Sequence, residues 1–556
     1  MSASDKKKLR KEQNAAALTE KQLAEQKESK KLKTYTISFV AVLALVVVVA
    51  LVVGLVTSYV NSGILQRNTD AVAFGDSTLS NADLNFFFMD QIQSDYNNWY
   101  NSYADNTTLF VQWLYGLDIT KPLSQQVYDE EAGTTFADYY TDLAIENAKN
   151  VYAIYNLAKA AGETLTDAQK SELELTIDYM DLYASMYGYS STESYLQALY
   201  GVGATLEGYS KYLEIKTLAT NYAQNHYNSI DIAKSDITAR NKENYEAFSS
   251  FDYSVFFVDI NDFLPCNDEA VSSDHTHTAE ELTSARKAAE EAAKALVASE
   301  AKTTAELDAA IAAYEAYKGN ESAKSGERTG YTLDQVTTAQ GNWLKSADRQ
   351  IGDLEMLVKE SSTTDAEGNV TTTIDGYHVM LFLGRNDNEQ KLVNVRHILS
   401  SFKGGTTDEN GNTVYTVAEM EGAKTVIEAV LSDWQANGGT VEAFDALAKE
   451  KSDDSSAKEN GGLYEGVYPG AMTTNFNDWC FEEGRKAGDY GIVESNYGYH
   501  LIYFVGHTDT TYREMLIEDA LRNEAYTDWY NTQLENVTVT ELNTQYLSLD
   551  RVIAGY

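Results

Sequence analysis

Apolar side chains form one uninterrupted block near the start of the chain. From about Thr36 to Thr57 the sequence reads TISFVAVLALVVVVALVVGLVT, and no charged residue occurs between Thr34 and Gln66. About 20 apolar residues in a helix that rises 1.5 Å per residue span the ~30 Å hydrocarbon core of a bilayer. A buried helix of a globular domain is the alternative, but a block of this length without a charge favours a transmembrane helix over 36–57.

Helical spacing of apolar and aromatic residues dominates the region that follows. One such run predicts a single helix and contains Phe136, Tyr140, Leu143, Ala144, Ala148, Val151, Tyr152 and Tyr155. Gly162 ends this helix, and Thr166 with Gln169 three residues later has the pattern of a capping box that opens the next helix. We therefore expect a helical domain over 71–247, with most of its Tyr and Leu side chains in the core.

The rest of the chain repeats one pattern twice. Each copy opens with an apolar strand, at Phe251 and at Val393, continues into an Ala-rich helix, and ends in Gly-Tyr-His followed by another apolar strand. Four landmarks share the same offsets, namely Trp343, Arg349, Gly352 and Asp353 in the first copy and Trp479, Arg485, Gly488 and Asp489 in the second. The ordered matches predict two homologous domains, at about 250–386 and 391–507.

Charge divides the chain at the apolar block. The 556 residues contain 43 Lys+Arg and 84 Asp+Glu, a net charge of −41, whereas residues 1–67 contain 11 basic and 5 acidic residues, a net of +6. By the positive-inside rule, the basic tail over 1–35 lies in the cytoplasm and the acidic bulk lies outside the membrane. Because the apolar block exceeds the 7–15 residues of a signal peptide, we expect an uncleaved, single-pass signal anchor.

Composition excludes several classes of protein. The acidic excess argues against a DNA- or RNA-binding protein, which needs a basic face to displace counterions from phosphates. Two cysteines in the whole chain exclude a disulfide framework and a Cys-rich zinc module. His275 and His277 beside Asp274 have a metal-ligand spacing, but the polar residues around them favour a solvated loop. We expect no metal and no other cofactor.

The second copy resembles the parvulin-type peptidyl-prolyl cis–trans isomerases. The motifs that carry the resemblance are Arg396-His397-Ile398-Leu399, Phe444 to Glu450, Ser452 to Lys458, Gly461-Gly462-Leu463, Met472 with Phe476, Phe481, and Tyr497-Gly498-Tyr499-His500. The tetrapeptide RHIL alone has little specificity, whereas the ordered set is specific. The resemblance implies a four-stranded antiparallel sheet flanked by about four helices.

The resemblance also implies roles for seven residues. The proline-pocket positions are Leu463, Met472 and Phe476, with Phe481 at the floor, and the catalytic positions are His397, Asp454 and His500. Each assignment has a simpler alternative. Met472 and Phe476 at spacing four also suit a plain hydrophobic pair, and the two histidines a structural link between strands. Asp454 also suits a helix cap, and Cys480 is expected to be a small core residue rather than a nucleophile.

The first copy lacks most of this set. Its opening strand from Phe251 to Ile260 contains no histidine, and counting from the shared Trp places Val336 at the position of Met472 and Gln340 at that of Phe476. The amide of a glutamine in an apolar pocket makes less favourable contact with a proline ring than a phenyl ring does. We therefore expect a degenerate copy without catalytic activity.

The overall order resembles the extracytoplasmic foldases of the PrsA and SurA type. It implies an α+β multidomain chain whose parts are a basic tail (1–35), a transmembrane anchor (36–57), a helical chaperone-like domain (71–247), a degenerate parvulin-like domain (250–386), a parvulin isomerase domain (391–507) and a C-terminal helical segment (508–556). A cell membrane of the Gram-positive type would hold the anchor.

Two functions follow from this layout. The main hypothesis is an isomerase and chaperone that binds newly exported polypeptides containing X-Pro bonds. The alternative is a non-catalytic holdase that binds unfolded secreted chains without isomerising them. A surface adhesion or scaffold protein is compatible with the acidic exterior but has no motif in its favour. The sequence leaves open whether the chain forms a homodimer.

Overall fold

The computed structural model describes residues 2–103, 106–265, 277–364, 370–408 and 411–547. By their contacts they form two units. Unit 1 comprises Met1–Ile230 and Ala525–Tyr556, and unit 2 comprises Asp231–Glu524. Asp274 and His275, considered above as metal ligands, lie outside the described residues.

Helices dominate the first half of the chain and sheets the second. The first elements are α1 (Ala3–Asn61), α2 (Ile64–Asn68), β1 (Asp70–Phe74), β2 (Ser77–Ser80), α3 (Asn81–Tyr103), α4 (Thr107–Tyr115), β3 (Val127–Asp129), β4 (Thr134–Thr135), α5 (Phe136–Ala160), α6 (Asp167–Met186), α7 (Thr192–Tyr200) and α8 (Leu206–Ser229). Next come α9 (Lys234–Glu243), β5 (Ser250–Asp259), α10 (Ala279–Val297), α11 (Thr304–Ala313), β6 (Gly326–Tyr331), α12 (Thr338–Leu344), β7 (Leu354–Thr364) and β8 (Val370–Asn386). The last are β9 (Lys391–Ser401), β10 (Thr406–Thr407), β11 (Thr413–Val414), α13 (Val417–Ala436), α14 (Val441–Lys451), α15 (Ala457–Asn460), β12 (Leu463–Val467), α16 (Thr474–Phe481), β13 (Tyr490–Glu494), β14 (Gly498–Thr511), α17 (Tyr512–Glu535) and β15 (Val539–Glu541).

The apolar block of the sequence is part of one long helix. Within α1, the segment Lys30–Asn61 is the one stretch of the described residues that is long and apolar enough to cross a membrane. The predicted helix over 36–57 lies inside it. This result concerns length and composition and leaves the topology a prediction.

Aromatic side chains build the core of unit 1. Phe86 and Phe87 on α3 contact Tyr212 on α8, with ring centroids 5.2 and 5.0 Å apart, and Phe87 also contacts Tyr152 on α5. The predicted capping box is confirmed, because the Thr166 hydroxyl accepts from the Gln169 backbone and the Gln169 side chain accepts from the Thr166 backbone. The helical periodicity of the sequence is therefore real.

The C-terminal segment returns to unit 1. β15 pairs antiparallel with β1, which also pairs with β2, in a three-stranded sheet. In the distal part of α17, Trp529 stacks on His226 of α8 at 3.8 Å. The predicted helical segment over 508–556 thus also contains a strand, and β14 extends to Thr511 before the helix begins. The helix α9, expected in the helical domain over 71–247, falls in unit 2.

Unit 2 contains two lobes with the same sheet topology. The strand orders are β6-β5-β8-β7 in the first lobe and β12-β9-β14-β13 in the second, all antiparallel. In each lobe the first strand of the sheet lies beside the last one. The first two helices of each lobe, α10 and α11 or α13 and α14, precede the edge strand that pairs with the first strand, which is β6 or β12. The internal repeat in the sequence therefore corresponds to a repeat of the fold.

The shared landmarks make the same contacts in both lobes. The guanidinium of Arg349 lies 4.2 Å from the Trp343 ring, and that of Arg485 lies 3.9 Å from the Trp479 ring. Each glycine that follows has a positive φ, 87° at Gly352 and 94° at Gly488, which only glycine adopts readily. Both glycines donate their N–H to the last long strand of their lobe. These residues stabilise the turn that leads into the β7–β8 or β13–β14 hairpin. Because both lobes need this turn, the repeat is visible in the sequence.

The sheet of the second lobe separates two apolar layers. On one face, helices α13 and α14 bury Ile398, Trp434 and Phe444. On the other face, α16 covers a layer that contains Val395, Cys480, Ile502 and Phe504, together with Phe476. Alternation along β9 and β14 therefore decides which side chains reach the α16 face.

Candidate active site

Two histidines meet on the α16 face of the second lobe. In the β9–β14 register His397 lies opposite Ile502 and His500 lies opposite Leu399, so the imidazoles are diagonal neighbours. Their Nδ1 atoms are 3.2 Å apart, and the residues are only 4% and 7% exposed. The structure thus brings together the two histidines that the sequence singled out.

A chain of hydrogen bonds determines the tautomer of each ring. Ionised Asp454 accepts only, so His397 donates from Nε2 to Asp454 Oδ2 over 2.9 Å. The Nδ1 atom of His397 is then an acceptor, and His500 donates to it from its own Nδ1. The remaining His500 Nε2 accepts from the Ser495 hydroxyl, 2.8 Å away. Every ring nitrogen is satisfied with both imidazoles neutral.

Burial keeps the two imidazoles neutral. It lowers the pKa of His397 against the opposing pull of the Asp454 carboxylate. For His500, burial together with the neighbouring His397 lowers the pKa to about 4. The pKa of Asp454 is also lowered, because hydrogen bonds from Ser456 and Tyr464 outweigh the effect of burial. At neutral pH the group carries one negative charge.

We expect the second lobe to lose stability between pH 6.5 and pH 4. Over this range the unfolded chain binds more protons at these histidines than the folded lobe does, so acid favours unfolding. The lowered pKa of His500 alone corresponds to ~3 kcal/mol. Chemical denaturation at pH 7.5 and pH 5, combined with NMR titration of the imidazole signals, measures this loss. A His500→Gln variant should lose less, and titration of both buried rings above pH 6 contradicts the assignment.

Asp454 uses its two carboxylate oxygens for different tasks. Oδ1 accepts from the backbone N–H and the hydroxyl of Ser456, at 3.0 and 2.9 Å, and so holds the turn before α15. Oδ2 accepts from His397 and from the Tyr464 hydroxyl, each at 2.9 Å. The alternative role of a local cap therefore coexists with a position beside the histidines.

A cavity of about 260 Å³ adjoins this network. It is lined by His397, Leu399, Asp454, Tyr464, Met472, Thr473, Phe476, Tyr497 and His500. The ring of Phe476 contacts both imidazoles edge-on, with centroids 5.6 Å from His397 and 5.4 Å from His500. Apolar side chains thus provide one wall, and Asp454 with the neutral rings provides a polar one.

Two of the predicted pocket residues do not line the cavity. Leu463 pairs with Arg396, whose guanidinium reaches Asp445 on α14, whereas Tyr464 pairs with Val395 of the α16 face. Because a step of one residue changes the face of a strand, Tyr464 takes the position expected for Leu463. Phe481 packs in the apolar layer beneath α16 and also lies outside the cavity lining.

Sequence reasoning missed several residues of the site. Tyr464 stacks on His397 at 4.8 Å, and Ser495 completes the hydrogen-bond chain. Tyr497 and Thr473 also take part, as lining residues. Tyr497 lies within a motif already noted. No local pattern marks Ser495, because it reaches His500 only through the turn between β13 and β14.

The remaining candidates are placed as follows. Cys480 is fully buried in the apolar layer, and burial raises the pKa of its thiol to about 12, so it is a core residue as predicted. The possible metal ligands of the His275 region cannot be placed, since of this group only His277 is described. Among the described residues, no group of three His, Cys, Asp or Glu side chains is arranged to hold a metal ion.

The first lobe has no equivalent network among its described residues. Its register places His378 opposite Phe257 and Met380 opposite Val255, so Val255 occupies the position that His397 has in the second lobe. Val255 and Val336 pack with Met380 in an apolar cluster. The Nδ1 atom of His378 finds no hydrogen-bond partner among the described residues. The arrangement agrees with a degenerate copy, whose inactivity stays a prediction.

Comparison of the sequence with known families identifies the second lobe. Residues 377–508 match the family described as "PPIC-type PPIASE domain". The match begins within β8, upstream of the predicted boundary at 391, and ends next to the predicted one at 507.

Curated relatives match over part of this region. The chain is 39% identical over 82 residues to "Foldase protein PrsA 1" of Listeria monocytogenes serotype 4b, which covers 15% of this chain and 28% of that protein. The protein of the same name from Listeria innocua serovar 6a matches with the same identity and coverage. The chain thus spans little more than a quarter of the length of these curated relatives.

Two solved PrsA structures align with parts of the chain. The crystal structure of PrsA from Bacillus subtilis covers 74% of this chain and 93% of its own, with 13% identity and a TM-score of 0.27. Peptidylprolyl isomerase (PrsA) from Bacillus anthracis covers 27% of this chain and 59% of its own, with 25% identity and a TM-score of 0.16.

Proposed function

We infer that this chain, whose residues 377–508 form a PPIC-type peptidyl-prolyl isomerase domain, is an extracytoplasmic foldase for exported proteins. The family match confirms the parvulin-type domain that the sequence motifs predict. The observation that carries the functional proposal is the cavity in which Phe476 and Met472 face Asp454 and the two neutral histidines. A notch of this kind suits a proline ring on one side and its preceding amide on the other.

The catalytic problem is the partial double bond of the X-Pro amide. Its rotation barrier of ~18–20 kcal/mol makes unaided isomerisation take tens of seconds or longer. A catalyst lowers the barrier by binding the twisted amide better than the planar one. We assign Phe476 and Met472 to hold the ring in an apolar environment, where the charge-separated planar form of the amide is poorly solvated.

The polar wall would add to this preference. A planar amide carries more negative charge on its carbonyl oxygen than a twisted amide, so the carboxylate of Asp454 near that oxygen disfavours the planar form. His397 and His500 act as positioning residues in this proposal, because their hydrogen bonds hold Asp454 ionised and correctly oriented. No bond to the protein forms, and the buried, protonated Cys480 takes no part.

Unit 1 supplies a surface suited to unfolded chains. Large apolar side chains on the outer side of α6 and the residue after it are exposed, namely Leu175, Tyr179, Leu182, Tyr183, Met186 and Tyr187. Tyr and Met adapt to varied partners, because their side chains combine apolar area with flexible or amphipathic contact. This stripe favours a chaperone role and also supports the alternative of a holdase without isomerase activity.

The anchor and topology belong to the same proposal. The apolar part of α1 would cross the cell membrane once, with the basic tail on the cytoplasmic side, and the residues that follow α1 would lie outside. A homodimer is compatible with this arrangement.

An isomerisation assay tests the function. The full chain in detergent is expected to accelerate cis–trans exchange in X-Pro tetrapeptides and refolding that is limited by proline isomerisation. The physical reason is the preference of the cavity for a twisted amide. Aggregation of an unfolded client, measured in parallel, separates the two candidates. Suppressed aggregation without any acceleration of exchange would overturn the isomerase and support the holdase.

A further inference from the structure

An open groove of about 740 Å³ lies beside the cavity of the second lobe. Its lining residues include Phe402, which follows β9, Asn475 at the start of α16, Glu494 at the end of β13, and Ser495, which follows that strand. The proposed mechanism uses only the adjacent cavity, so the groove is left without a role.

The groove continues the cavity along three elements. Thr473 lines both. Along the strand and the residues that follow it, Leu399 lines the cavity and Phe402 lines the groove. Across the turn into β14, Tyr497 lines the cavity, whereas Ser495 lines the groove and hydrogen-bonds His500. A peptide with its proline in the cavity therefore meets the groove with its neighbouring residues.

The charge of the groove is negative. Glu494 is the one charged side chain among the described residues that line it, and it forms no ion pair with any of them. Its carboxylate accepts a hydrogen bond from Tyr499 over 2.9 Å, which holds it on the side of α13, the helix whose Met420 also lines the groove. Glu421 and Glu428 on α13 add to the negative potential at Tyr499.

We propose that this groove binds the residues that flank the proline and that Glu494 selects Lys or Arg there against Glu or Asp. The inference deepens the proposed isomerase function and rests on it. An extended chain advances about 3.3 Å per residue. The three residues from Leu399 to Phe402 therefore give the groove room for the two or three residues next to the proline, and Glu494 would act on one of these.

Peptides that differ only in charge test the proposal with the full chain in detergent. Lys, Gln or Glu is placed two or three residues before or after the proline of an otherwise constant peptide. We expect kcat/KM for the Lys peptide to exceed that for the Glu peptide by about three- to tenfold at low salt, because a partly exposed charge pair has a modest effect. The ratio should shrink at high salt.

A pair of matched variants locates the effect. Glu494→Gln is expected to bring the Lys-to-Glu ratio close to one. Glu465→Gln, an exposed position on β12 outside both linings, is expected to keep the ratio and the activity of the native chain.

The outcomes separate this inference from the proposed function. Absence of isomerisation with every peptide overturns the proposed function. The same charge ratio is also measured from dissociation constants by fluorescence anisotropy, so the groove is tested without turnover. Equal binding of the Lys and Glu peptides, or a ratio unchanged by Glu494→Gln, overturns the groove assignment.

Discussion

Replacing Phe476 by alanine is expected to lower kcat/KM for an X-Pro peptide by about 30- to 700-fold. The ring forms the apolar wall of the cavity and contacts both imidazoles. Truncating an aromatic side chain that holds a bound partner in a desolvated pocket costs ~2–4 kcal/mol of binding energy, which converts to that factor. Exchange rates of a proline tetrapeptide, followed by NMR for the full chain, provide the measurement.

Controls separate lost contact from lost folding. Phe504→Leu changes the same apolar layer without touching the cavity lining, and it should retain activity. His378→Ala in the first lobe should also retain it, because that lobe is expected to be inactive. An active Phe476→Ala protein would refute the assigned pocket, and a large loss in His378→Ala would refute the silent first lobe.

Replacing Arg513 by methionine is expected to destabilise unit 2 by about 3–5 kcal/mol, because it leaves two backbone carbonyls and a hydroxyl around the buried guanidinium without their donor, at ~1–3 kcal/mol each. Arg513 is 1% exposed. It donates to the carbonyl oxygens of Asp387 and Tyr245, both at 2.6 Å, and to the Ser249 hydroxyl at 2.8 Å. Its guanidinium also lies 3.7 Å from the Tyr245 ring. The residue thereby joins the start of α17 to the segments before β5 and after β8.

Hydrogen exchange monitored by mass spectrometry measures this effect. Protection of β5, β8 and β9 should fall by about two to three and a half orders of magnitude where exchange requires global opening of the unit. Lys391→Met is the matched control, because Lys391 pairs with Asp509 at the surface and is half exposed. Arg513→Lys should lie between the two, since an ammonium cannot reproduce the planar fork. Equal protection in Arg513→Met and Lys391→Met would contradict the stabilising role assigned to Arg513.

Local sequence patterns predicted most of the fold. The apolar block, the capping box at Thr166 and the Trp-Arg-Gly-Asp landmarks each depend on residues a few positions apart. The structure places each of them as those spacings require. Resemblance to a family added His397, Asp454, His500, Met472 and Phe476, and all five line one cavity.

Those patterns did not predict the strand register or the long-range contacts. Tyr464 rather than Leu463 faces the cavity, because only the pairing of β12 with β9 decides which of two adjacent residues points to which face. Ser495 joins the histidines through a turn, and Arg513 meets partners more than a hundred residues away in sequence. Neighbouring residues along the chain therefore specify the elements and their order, whereas the position of a side chain in the site depends on how the finished sheet brings distant strands together.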